Sequence, residues 1–262
     1  MTITIRAFSL PKAGNCESEY EDAAWPCNAS EGTSFPVRMA VADGATEASF
    51  SAFWARLLVQ DYGEGLLTEE TLPDRLMVLR DSWKESVGKE PLPWYAEEKL
   101  RSGAFSSLLG LTIERDPEVH RDGGRWTALA IGDSCLFHVR GGELLLAFPL
   151  ARTSDFDSRP VLIPSVRGGD EGLEGAMRAA GGRWREGDVF YLMTDAFACW
   201  FLRRLELREG DPIGFVEGIQ DDSSFEEVIR HQRGDRTEDG LVMLKNDDVT
   251  LIRCRLGAPD EG

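Results

Sequence analysis

Aspartate bounds the most apolar short runs of this 262-residue sequence. "RMAVADG" stops at Asp43, "VFYLMTDA" stops at Asp195, and "NDDVTLI" starts from Asp247 and Asp248. Runs of this length and composition read as buried strands, whereas Asp is depleted from strands and costly to bury ionised without a cation beside it. Taken singly, each acid is a turn former or the N-cap of a following helix. Asp133 in "AIGDSCLF" is different, because apolar segments flank it on both sides. Glu21 and Asp22 stand together in "YEDA", just ahead of another apolar run. The chain must fold so that several strand ends come to rest on acids.

The periodicities supply the rest of the frame. "ITIRAFSL" predicts a strand, a polar loop follows over 12–34, and "FPVRMAVA" predicts a second strand. Helical spacing over 48–59 puts Phe50, Phe53, Trp54, Leu57 and Leu58 on one face, and further helices are expected over 72–87 and 94–100. "SSLLGLTIERD" and "RWTALAIGDSCLFHVRGGELLLAF" read as strands, the latter with a hairpin at Gly141-Gly142. Residues 149–169, rich in Pro and Ser, read as a surface excursion. "LEGAMRAAG" predicts a short helix, "DVFYLMTDA" a strand, "FACWFLRRLEL" and "FEEVIRHQR" helices, and "KNDDVTLIRCRL" a closing strand. Strands and helices fall in blocks and do not alternate as βαβ units, so the expectation is one α+β domain over 1–262 with antiparallel sheets.

Charge and composition narrow the function. With 46 acidic against 29 basic residues the formal charge is −17, a field that repels nucleic acid and anionic lipid, so neither is an expected partner. No run approaches the roughly 18 apolar residues of a membrane span, and no secretory signal is read at the N-terminus. Cys16, Cys27, Cys135, Cys199 and Cys254 are odd in number and form no C-x-x-C pair, which suits a reducing cytoplasm better than a disulfide framework or a zinc site. His120, His138 and His231 are scattered and read as ordinary surface or loop residues.

Oxygen-rich acidic clusters suit Mg²⁺ or Mn²⁺, hard cations that prefer carboxylates, carbonyls and retained waters. Two such ions about 3.5–4 Å apart can activate a water between them for in-line attack on phosphorus. That chemistry needs no nucleophilic Ser or Cys, and G-x-S-x-G, P-loop and G-x-G-x-x-G motifs are all absent.

In sequence order, "YEDA", "AVADGATE", "SGAFSSLLGLTI", "AIGDSCLFHVR", "FYLMTDAF" and "NDDVTLI" resemble the motif string of the metal-dependent type 2C Ser/Thr protein phosphatases, in their divergent bacterial form. The resemblance runs from about Lys12 to Cys254. It implies a four-layer α-β-β-α sandwich of two antiparallel sheets flanked by helices, with metals in a channel between the sheet edges. It implies a phosphorylated protein as substrate, with phosphoserine or phosphothreonine hydrolysed. Asp43 matches the aspartate that bridges both ions, and Gly44 the residue whose carbonyl is a ligand. Asp195 and Asp247 match the remaining ligands of one ion, and Glu21 reaches the other through water. Asp22 matches the neighbour behind these ligands and is counted with Asp43 as catalytic. Asp133, with Asp195, matches a site for a third, looser ion.

Three positions depart from the pattern. Glu17 stands where the family usually places a phosphate-holding arginine, Ala45 where the eukaryotic enzymes have a His, and Ala196 where a glycine is usual. Lys12 or Arg6 is the expected, weaker substitute for the arginine, since an ammonium does not reproduce a bidentate guanidinium. The alternative reading is a phosphatase-like regulatory module that binds a partner and hydrolyses little.

Overall fold

β12 (Asp188–Met193) is buried at every position, and β13 (Val249–Leu256) at all but one. A strand covered on both faces has no polar side, which is why these two read as unbroken apolar runs. Along them Phe190, Leu192, Ile252 and Cys254 point into one core, while Tyr191, Met193, Val249 and Leu251 point into another. The period of two thus feeds two separate apolar layers. In this computed structural model the described residues are 2–32, 34–45, 50–87, 103–116, 123–156, 159–168, 172–237 and 240–257.

Both strands lie in a six-stranded sheet of order β3-β1-β13-β12-β8-β9, where β1 is Ile3–Leu10, β3 Ser30–Gly32, β8 Cys135–Arg140 and β9 Glu143–Phe148. The second sheet has order β11-β7-β6-β4-β2, formed by β2 (Ala23–Trp25), β4 (Val37–Ala42), β6 (Leu108–Arg115), β7 (Gly123–Ile131) and β11 (Arg178–Arg185). A two-stranded ribbon pairs β5 (Phe105–Ser106) with β10 (Ile163–Pro164). All of these pairings are antiparallel.

The sheets face each other across a core that mixes Ile5, Leu136, Phe190 and Ile252 with Met39, Val41, Leu111 and Trp126. The outer face of the five-stranded sheet is covered by α1 (Ser51–Gly63) and α2 (Leu72–Val87), through Trp54, Leu58, Tyr62, Leu76 and Trp83. The outer face of the other is covered by α4 (Asp195–Leu207), α5 (Pro212–Glu217) and α6 (Asp222–Gly234), through Phe197, Trp200, Phe201, Val216 and Phe225. The expected α+β, α-β-β-α layering is what the chain adopts.

Several local expectations change. The first helix begins at Ser51 and runs on to Gly63, later at both ends than 48–59. The helix expected over 94–100 lies outside the described residues, as does His120. Loop 12–34 contains β2 and β3 as well as a 3₁₀ turn at Glu17–Glu19. "LEGAMRAAG" is helical only in α3 (Leu173–Ala176), after which β11 pairs with β7 along eight residues, from Arg178↔Ala130 to Arg185↔Gly123. Tertiary pairing and the burial of Trp184 override the helix propensity of its Ala and Arg residues. Only part of 149–169 is surface: Ile163 and Ser165 are buried, Trp54 Nε1 donates to the Ile163 carbonyl at 2.9 Å, and Arg80 Nε donates to the Pro164 carbonyl at 3.1 Å.

Candidate metal centre

Strand register collects the acids. β4 pairs with β2 so that Ala42 faces Ala23, which sets Asp43 beside Asp22. β12 pairs with β13 so that Met193 faces Leu251, which sets Asp195 near Asp247 and Asp248. Asp133 joins them from the turn between β7 and β8, where Gly132 takes φ +99° and leaves no space for a side chain against Ser107. Five carboxylates from separate segments meet here: the charges of Asp22, Asp195, Asp133 and Asp247 all act on Asp43.

Backbone and hydroxyl contacts hold each acid in place. Asp43 donates its N–H to Ser107 Oγ at 3.0 Å, and its carbonyl accepts from Ser107 N–H and Ser106 Oγ, both at 2.9 Å. Asp22 Oδ2 accepts Thr250 Oγ1 at 2.6 Å and Thr194 Oγ1 at 2.9 Å. Tyr20 hydroxyl is hydrogen-bonded to Thr250 in turn. Asp248 accepts the Lys12 N–H at 2.8 Å and the Glu21 N–H at 2.7 Å. Glu21 Oε1 takes the Ser51 hydroxyl at 2.5 Å. A Cβ on Gly44 would lie 2.7 Å from the Glu21 carbonyl oxygen, so only glycine lets the two loops close on each other.

Burial and mutual repulsion raise the acids above the ordinary carboxylate range. Desolvation is the largest cause at Asp43, followed by the four neighbouring charges. At Asp22 burial and the Asp248 charge outweigh the two hydroxyls and push it up to about 8. At Asp133 burial and the Asp195 charge push it up to about 7. Asp195 is raised by burial and by the Asp247 charge in spite of Lys245. Carboxylates forced together in this way are the arrangement that a multivalent cation relieves.

The donor chemistry fits a hard dication. The five acids offer carboxylate oxygens, the donors that such a cation prefers. Among the described residues no three His, Cys, Asp or Glu side chains form a ready-made metal cage. Two candidate ligands are engaged elsewhere: Asp247 Oδ2 lies 2.6 Å from Lys245 Nζ, and Glu21 is held by Ser51.

The sequence-derived site residues divide accordingly. Asp22, Asp43, Asp133, Asp195 and Asp247 come together, with Gly44 and Glu21 at their edge. Lys12 reaches the cluster through its backbone N–H, and it lines a groove of about 1530 Å³ beside β1, together with Glu17. One Arg6 guanidinium N–H donates to the Gln220 carbonyl. Sequence reasoning missed Thr194, Thr250 and Lys245. The two threonines were legible beside Asp195 and Asp247-Asp248, in "MTDA" and "DDVTLI"; a lone lysine carries no such signal.

Two antiparallel sheets flanked by helices are the fold of solved PPM Ser/Thr phosphatases. Among solved structures the chain is similar to the photosystem II phosphatase PBCP, with TM-score 0.57 and 14% identity over 98% of this chain and 100% of that one. It is similar to the catalytic domain of the Ser/Thr phosphatase PstP in complex with two manganese ions, with TM-score 0.53 and 14% identity over the same shares. PppA of Pseudomonas aeruginosa, a regulatory component of T6SS, matches with TM-score 0.53 and 18% identity over 98% and 100%. No protein-family model and no curated protein matches the sequence.

Proposed function

We propose that this chain is a Mg²⁺- or Mn²⁺-dependent phosphatase that hydrolyses phosphoserine and phosphothreonine in proteins. The observation that carries the reading is the convergence of Asp43, Asp22, Asp133, Asp195 and Asp247 in one desolvated field at the strand tips. Asp43, the Gly44 carbonyl, Asp195 and Asp247 would hold the ions, with Asp43 as the ligand shared between them. Glu21 would act through a water, and Asp133 with Asp195 would serve a third, looser ion. When bound, the dications supply activation of water and neutralise charge on the phosphoryl group.

The chain's own groups position and buffer. Thr194 and Thr250 lock Asp22 Oδ2, leaving Oδ1 as the atom that takes up and returns a proton beside the reacting centre. Ser106 and Ser107 fix the Asp43 backbone, so its Cα holds its place beside the cluster. The free state of all five cysteines accords with a cytoplasmic location. Among the described residues no helix is long and apolar enough to cross a membrane.

One observation favours the second reading, a binding module with little turnover. Glu17, at the place of the family's arginine, is exposed on its 3₁₀ turn and offers phosphate no cation. Phosphate release from a phosphothreonine peptide separates the two. The hydrolase reading expects release with Mn²⁺ or Mg²⁺, little with Ca²⁺, whose larger and looser shell polarises water less, and none in excess chelator. Metal-independent release would contradict it.

A further inference from the structure

The acidic centre holds one cation whose place the reaction has not yet explained. Lys245 Nζ lies 2.6 Å from Asp247 Oδ2, and its charge also acts on Asp195, Asp43 and Asp133. Its side chain is 68% exposed, so the ammonium reaches the acids from the solvent side. Two other basic groups donate to backbone carbonyls, and Lys12 contacts the cluster through its backbone N–H. Arg233 donates to the Pro11 carbonyl at 3.1 Å and the Asp247 carbonyl at 2.6 Å, stapling α6 beneath the two loops. Arg6 is bound to Gln220.

We propose that Lys245 holds the substrate phosphoryl group, taking over at a different position in the fold the task of the arginine that Glu17 replaces. The inference rests on the phosphatase reading above. Without metal, the ammonium serves as an internal counter-ion on Asp247. A dication taking Asp247 as ligand displaces it, and a phosphoryl dianion entering the centre becomes its nearest uncompensated anion. An ammonium on a four-carbon stem suits this exchange: it binds phosphate as a point charge with rotatable donors and has no fixed fork to realign. No bond is made or broken by Lys245, and its proton stays on Nζ.

Two titrations test this, neither of which needs turnover. Inorganic phosphate is titrated calorimetrically into the Mn²⁺-loaded wild type, Lys245→Ala, Lys245→Gln and Lys245→Arg, and Mn²⁺ alone is titrated into the metal-free forms. The exposed position makes all three variants compatible with folding. Loss of one charge-assisted contact should weaken phosphate binding about 10- to 100-fold in the Ala and Gln variants, with Arg retaining most of it. KM for an aryl phosphate should rise in step while kcat changes little. Mn²⁺ should bind Lys245→Ala at least as tightly as wild type, because a competing cation has gone. Unchanged phosphate affinity with tighter Mn²⁺ binding would overturn the inference and leave Lys245 a counter-ion only; weaker Mn²⁺ binding would overturn it in favour of a role in building the metal site. A wild type that binds Mn²⁺ and phosphate without hydrolysis would refute the proposed activity, and the variant comparison would still decide the role of Lys245.

Discussion

Glu21 donates its backbone N–H to Asp248 Oδ2 at 2.7 Å, joining residues 227 positions apart in the chain. The other carboxylate oxygen takes the Lys12 N–H. One buried aspartate thereby ties the loop that carries Glu21 and Asp22 to the start of β13, and so brings two of the acidic motifs to the same place.

Replacing Asp248 by Ala should free that loop. Hydrogen bonds to a charged acceptor contribute about 1.5–3 kcal/mol each, so the loss of two predicts a destabilisation on the order of 3–6 kcal/mol. Asp248→Asn keeps one acceptor oxygen and should lose less. Denaturant unfolding of the two variants beside the wild type measures both; equal stability of all three would show that the tie is not needed.

Asp43→Asn should be the most damaging single change to phosphate release, because one amide oxygen cannot bridge two dications. A loss of several kcal/mol in transition-state stabilisation corresponds to about 100-fold or more in kcat. Asp195→Asn and Asp247→Asn each weaken one ion and should follow. Initial rates at saturating Mn²⁺ give the ranking, and near-normal turnover in a folded Asp43→Asn would show the assignment to be wrong.

Without metal, stability should fall as pH rises. Asp22 near 8 and Asp133 near 7 stand far above the value of about 4 for an unfolded Asp. Between those limits the folded state binds more protons than the unfolded state, so its stability is greatest at the acid end and declines toward pH 8. Melting temperatures of chelated protein at pH 5.5 and 8 should differ in that sense, and saturating Mn²⁺ should flatten the difference. A rise in stability with pH in chelator would speak against a desolvated acidic cluster.

At the opposite end of β12 the sign reverses. Burial alone would raise Asp188, but Arg140 at 2.6 and 2.8 Å, His138 at 2.8 Å and the Arg185 N–H at 2.9 Å hold it down at about 2. This aspartate contributes stability that is present above pH 4 and lost as pH falls toward 2. Asp188→Asn should cost about 3–5 kcal/mol, as expected when one partner of a buried ion pair is removed, and should leave Mn²⁺ affinity unchanged. Altered Mn²⁺ affinity would mean that the two ends of the strand are coupled.

What the sequence revealed follows the strength of its local signals. Asp43, Asp195 and Asp247 were legible because an acid at the end of an apolar run contradicts strand propensity, and α2 because its period is clean over 72–87. β11 was hidden because "RAAGGRWR" has the composition of a helix or turn and becomes a strand only through pairing with β7. Ile163 was hidden in a Pro- and Ser-rich segment whose burial depends on Trp54, far away in sequence. Lys245 was invisible for a plainer reason: a single lysine acquires meaning only from the acids that folding sets around it.

The central claim is that the strand-tip acids form a divalent-cation site organised by Asp43. Calorimetric titration of Mn²⁺ into the metal-free wild type and into Asp43→Asn tests it most directly. Saturable binding of two ions by the wild type and loss of at least one of them in the variant are expected, with both proteins folded. Absence of binding in the wild type, or the same isotherm for both proteins, would contradict it.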